Sequence, residues 1–71
     1  MVLNVEFLRT YGFKQERFPD GLYWIRRYTS EYYLQANESL DQFYEDDNWV
    51  EELTATEFVA TIMRHEQAIN Q

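Results

Sequence analysis

The sequence predicts an α+β fold in which a short N-terminal helix precedes a small antiparallel sheet of three to four strands and a C-terminal helix packs on one sheet face. Three observations carry that expectation. A Thr-x-x-Glu capping box, Thr54 to Glu57, opens a run of apolar residues at helical spacing. Upstream, Pro19-Asp20-Gly21 sits between flanks rich in aromatic and branched residues, which is hairpin chemistry. With two glycines and one proline in 71 residues, nothing resembles a linker, so a single compact domain over residues 1–71 is expected.

Each element has its own signal. Asn4 is placed to cap a helix running to about Thr10, with Val5, Leu8 and Tyr11 at helical spacing and Gly12 as its stop. The stretch from Phe13 to Asn37 reads as two or three strands. If Thr29-Ser30 is a two-residue hairpin connection, Ile25 pairs with Leu34, Tyr23 with Ala36 and Arg27 with Tyr32, and this set forms the core face. Trp24, Arg26 and Tyr28 then point the other way, opposite Gln35, Tyr33 and Glu31.

Ser39 and Gln42 have the spacing of a capping box, but Asp46-Asp47-Asn48 is poor helix material. A strand near Leu40–Tyr44, a turn at 46–48 and an extended piece at 49–53 are therefore expected. The final helix should span about Ala55–Ala68, with Leu53 packing on Phe58 as a hydrophobic staple and Phe58, Val59, Ile62, Met63 and Ile69 on its apolar stripe.

Composition narrows the function classes. A chain this short buries only ~60% of the surface its unfolded form exposes. It has no cysteine for a disulfide and one histidine, so large aromatics or oligomerisation must supply the stability. Aromatic residues make up 18% of the chain, far from the composition of a disordered acidic tail. The N-terminal ten residues lack a basic leader followed by an apolar run, and nowhere do apolar residues run long enough to span a bilayer. A cytoplasmic setting without membrane contact is the expectation.

Catalytic and metal chemistry find little support. His65 lies between Arg64 and Glu66 on a helix and reads as a surface residue; no nucleophile, base and orienting group share a pattern. No glycine-rich phosphate loop is present. The window from Asp41 to Glu52 has the length of a calcium-binding EF-hand loop, but Phe43 stands where a ligand is needed and Asp46 replaces the glycine. The sequence thus predicts no enzyme and no cofactor or metal.

The net charge of -7 is strongly segregated. Residues 1–37 hold four acidic and five basic side chains, and residues 58–71 hold one of each. Residues 38–57 hold eight acidic side chains and no basic one. Within this segment Glu38, Asp41, Glu45, Asp46, Asp47, Glu51 and Glu52 are interleaved with Phe43, Tyr44 and Trp49, and these ten residues are the candidate partner-binding set. Segregated like charge costs self-repulsion that mixing would relieve, and aromatic anchors supply affinity where charges supply encounter rate.

The expected function is an inhibitory or adaptor module that binds a basic protein surface, such as the channel of a nucleic-acid-binding enzyme, by presenting carboxylates where phosphates would lie. In form it resembles small phage-encoded inhibitors of host defence or DNA-processing enzymes, which are often short, cysteine-free, acidic and aromatic. The alternative is a structural domain that forms homodimers through an aromatic face. A third reading makes Arg26 and Arg27, with Tyr23, Trp24, Tyr28, Tyr32 and Tyr33, a stacking platform for single-stranded RNA. The acidic charge weighs against direct nucleic-acid binding.

Overall fold

Local chemistry sets both helices of the computed structural model, which describes residues 3–47 and 50–69, without the side chains of Asp47 and Val50. Helix α1, Val5–Thr10, begins where Asn4 Oδ1 accepts from the Phe7 N–H at 2.8 Å. It ends before Gly12, at φ +83°, where an added Cβ would meet Arg26 Nε at 3.0 Å. Glycine takes that backbone conformation without strain and leaves room for Arg26, where a side chain would have to displace it. Helix α2, Ala55–Ile69, starts with a reciprocal capping box. The Thr54 N–H donates to Glu57 Oε1 at 2.9 Å and the Glu57 N–H to Thr54 Oγ1 at 3.1 Å. These backbone and hydroxyl contacts hold the Glu57 carboxyl below its usual range. Thr54→Ala is expected to destabilise the protein by ~1 kcal/mol, read as a lower denaturant midpoint. An unchanged midpoint would mean that this cap contributes nothing.

Between the helices runs a five-stranded antiparallel meander, ordered as in the sequence: β1 Lys14–Phe18, β2 Gly21–Arg27, β3 Tyr32–Asn37, β4 Phe43–Asp47 and β5 Val50–Leu53. The architecture is the predicted α+β one, with one strand more than the three to four expected. Pro19-Asp20 forms the two-residue β1–β2 connection, with Phe18 paired to Gly21.

The β2–β3 register is shifted by one residue from the sequence expectation. Trp24 pairs with Ala36, Ile25 with Gln35 and Arg26 with Leu34. The cause is a three-residue turn in place of a two-residue one: Tyr28 N–H bonds the Tyr32 carbonyl at 3.0 Å, and Glu31 N–H bonds Thr29 Oγ1 at 3.2 Å. A one-residue slip exchanges the faces of a strand. Trp24 and Arg26 therefore lie on the inner face with Leu34 and Ala36, while Tyr23, Ile25 and Arg27 lie on the outer.

Strand β4 begins three residues later than predicted. Asn37 Oδ1 accepts from the N–H groups of Asp41 at 3.0 Å and Gln42 at 3.1 Å, holding residues 37–42 as a turn in which Leu40 has φ 58°. Such side-chain capture of backbone donors competes with a strand ladder.

The core lies between the inner sheet face and the two helices. Leu8, Phe13, Trp24, Leu34, Ala36, Phe43, Phe58 and Ile62 form one buried cluster, with Leu53 packed against it. Phe58 is fully buried, with its ring centroid 5.8 Å from Phe13 and 4.8 Å from Phe43. On α2 the buried residues are Phe58, Thr61 and Ile62; Ile69, expected on the apolar stripe, is 54% exposed. The Thr61 hydroxyl is satisfied by the Glu57 carbonyl at 2.7 Å. No helix among the described residues is long and apolar enough to cross a membrane.

Candidate functional site

Both helices pack on the inner face, so the outer face of the sheet carries no second layer among the described residues. Strand pairing places its side chains in rows. Arg27, Tyr33 and Asp46 form one; Lys14, Ile25, Gln35, Tyr44 and Glu52 form the next; Glu16, Tyr23 and Asn37 form a third. Along the first two rows the chemistry changes from basic at β1–β2 to acidic at β4–β5. Arg27 is neutralised by a bidentate ion pair with Glu16, which also holds the Glu16 carboxyl below its usual range. The remaining ion pair among the described residues joins Arg26 and Glu66, so Asp46, Glu51 and Glu52 have no ion-pair partner there.

On this face is a concavity of about 370 Å³ lined by Phe18, Tyr23, Tyr33 and Tyr44 together with Asp20, Gln35 and Asp46. The Tyr23 hydroxyl donates to Asp20 Oδ2 at 2.7 Å, and the Phe18 ring meets Tyr23 edge-on at 5.4 Å. Asp46, first through hydrogen bonding, raises the Tyr33 phenol above its ordinary value, as Asp20 does for Tyr23. Both phenols therefore stay neutral well beyond physiological pH.

The ten residues predicted for partner binding are distributed over several environments. Tyr44, Asp46 and Glu52 face outward, with Tyr44 and Asp46 in the concavity. Glu51 is exposed on β5, and Glu38 and Asp41 are exposed in the turn before β4. Phe43 is 4% exposed and belongs to the core, so it is not available as an anchor. Trp49 lies outside the described residues, as does the side chain of Asp47. Glu45 faces inward, directly opposite Glu51, and accepts from the Tyr32 hydroxyl at 2.5 Å.

That contact belongs to a polar network on the inner face which the sequence reading missed. Tyr32 Oη also meets His65 Nε2 at 2.8 Å, and the His65 ring stacks on Tyr28 at 4.8 Å. Tyr28 donates to Glu66 Oε1 at 3.2 Å, and Arg26 lies over the Tyr28 ring at 4.5 Å with its Nε bonded to the Tyr11 carbonyl at 3.2 Å. His65 is thus half-buried between sheet and helix. Its spacing from Phe58, Thr61 and Ile62 is the helical signal that could have found it.

The proposed RNA platform is divided between two faces. Trp24, Arg26 and Tyr32 lie inward, with Arg26 committed to Tyr11, Tyr28 and Glu66, while Tyr23, Arg27 and Tyr33 lie outward. Among the described residues no three acidic or histidine side chains cluster as metal ligands. The chain matches no protein-family model, no curated protein and no solved structure.

Proposed function

We propose that this protein is a non-enzymatic interaction module, of the inhibitor or adaptor type, whose outer sheet face and adjoining β4–β5 edge engage a basic groove on a partner protein in the cytoplasm. In this reading the carboxylates stand in for the phosphates of a nucleic acid that the partner binds. The observation that supports it most is the continuity of acidic and aromatic surface. Asp46 lines the ring-lined concavity and Glu52 follows Tyr44 in the same outer row, while Glu51 lies exposed at the adjoining β5 edge; none has an ion-pair partner among the described residues. Like charges directly opposite in a sheet are destabilising, yet Glu45 and Glu51 are so placed.

Association with a partner recovered by affinity capture tests the reading. Electrostatic steering accelerates encounter by ~10-fold or more and is screened over ~10 Å at 0.1 M ionic strength. The triple variant Asp46→Asn, Glu51→Gln, Glu52→Gln is therefore expected to associate about tenfold more slowly at low salt and to lose most of its salt dependence. Duplex DNA should compete for the same site. A partner whose affinity is indifferent to salt and to all three substitutions would overturn the proposal.

A further inference from the structure

The concavity on the outer face has a composition that selects its occupant. Four aromatic rings, from Phe18, Tyr23, Tyr33 and Tyr44, two carboxylates, from Asp20 and Asp46, and the Gln35 amide line it, and no basic side chain does. We infer that it is a receptor for one arginine side chain of the basic partner, an inference that rests on the interaction reading above and names the group that reading requires.

Competing occupants satisfy only half of the lining. A nucleobase could stack on the rings, but its phosphates would approach two carboxylates. An apolar group would cover the carboxylates without giving them a donor, which carries a desolvation penalty. A guanidinium meets both requirements, because its flat face rests on an aromatic ring while its N–H groups point outward to carboxylate oxygens. An ammonium is a compact, strongly hydrated charge with no flat face, and suits this lining less well.

The same chain solves this recognition problem once for itself. On the inner face the Arg26 guanidinium lies 4.5 Å over the Tyr28 ring, and its Nε is 3.7 Å from Glu66. The outer concavity repeats those components with no cation of its own among the described residues. It is also built in advance. Asp20 is held by the Tyr23 hydroxyl at 2.7 Å, and strand pairing sets Tyr33 opposite Asp46. A group held before binding loses less freedom on binding.

The test uses the full chain and a heptapeptide of alternating glycine and arginine, with matched peptides in which lysine or the neutral isostere citrulline replaces arginine. Binding is followed through the ring signals of Tyr23, Tyr33 and Tyr44 in NMR spectra. The arginine peptide is expected to shift these signals saturably, with the lysine peptide about threefold and the citrulline peptide about tenfold weaker, the range of one cation–π contact plus a charge-assisted hydrogen bond. Asp46→Asn and, independently, the exposed Asp20→Asn should each weaken arginine binding about fivefold, whereas Glu51→Gln, outside the cavity, should change it less than about twofold. Citrulline binding as tight as arginine, or a single-stranded oligonucleotide moving the same ring signals, would overturn the inference. So would equal weakening by Glu51→Gln and Asp46→Asn, which would make the attraction diffuse; that result overturns the receptor and leaves the acidic interaction reading intact.

Discussion

Phe58→Ala is expected to remove a large share of the protein's stability. The side chain is fully buried and its ring bridges Phe13, which precedes β1, and Phe43 of β4, so it ties the entry to β1 and strand β4 to α2. Truncating a buried phenylalanine costs ~3–5 kcal/mol, from lost transfer energy and the cavity left behind. At roughly 0.05–0.15 kcal/mol per residue, a chain of 71 residues has only about 4–11 kcal/mol to lose, and it has no disulfide to compensate. Thermal unfolding followed by circular dichroism should show a midpoint lower by about 15–30 °C, or no cooperative transition. Ile69→Ala on the same helix, at a 54% exposed position, serves as the control and should change little. A loss of less than about 5 °C for Phe58→Ala would mean that the aromatic cluster is not the centre of the core.

Local signals made much of this fold legible in the sequence. Asn4, Gly12, Pro19-Asp20-Gly21 and the Thr54–Glu57 box all act through backbone groups within a few residues of themselves, and all perform as their chemistry predicts. What could not be read depends on nonlocal or compensating contacts. Trp24 and Ile25 are adjacent and both buried, so β2 lacks the alternation that would have set its register. The buried Ile25 on the outer face is flanked by Lys14 and Gln35 in neighbouring strands. The start of β4 was hidden because it depends on one amide, that of Asn37, capturing donors four and five residues ahead.

The candidate site followed the same rule. The acidic segment was visible as composition, but most of the concavity comes from Phe18, Asp20, Tyr23, Tyr33 and Gln35, which precede that segment and reach it only through the meander. Phe43 was misplaced because composition cannot tell an interface anchor from a core ring. Alternation along β4 could: Phe43 and Glu45 share one face, Tyr44 and Asp46 the other.

Tyr32→Phe is expected to cost ~1–3 kcal/mol, because it leaves the half-buried Glu45 without its donor and His65 without its hydroxyl partner. The ring is retained, so its packing is little disturbed, and the loss reports on the network. Its pH dependence distinguishes this from a generic defect. Burial and then the charge of Arg64 hold His65 below its ordinary value of 6.5, against an opposing pull from Glu45 and Glu66. As pH falls below 6.5 the unfolded chain takes up this proton first, so the contribution of a neutral His65 is complete above that value and is lost toward the folded pKa. Glu16 and Glu57, held below 4.5, add their losses only at lower pH.

On the alkaline side Tyr28 and Tyr32 are both raised well above 10.0, chiefly by burial and then by Glu66 and Glu45 respectively. Their contribution is complete below 10 and is lost as pH rises through the folded values, because the unfolded chain ionises first. Urea midpoints at about pH 5, 8 and 11 should therefore be highest at the middle value for the parent. Tyr32→Phe should lower the midpoint at about pH 8 and, by removing one of the two most strongly raised phenols, flatten the fall toward pH 11. A variant equal to the parent at neutral pH, or one with an undiminished alkaline loss, would show that the hydroxyl of Tyr32 does not join the sheet to α2.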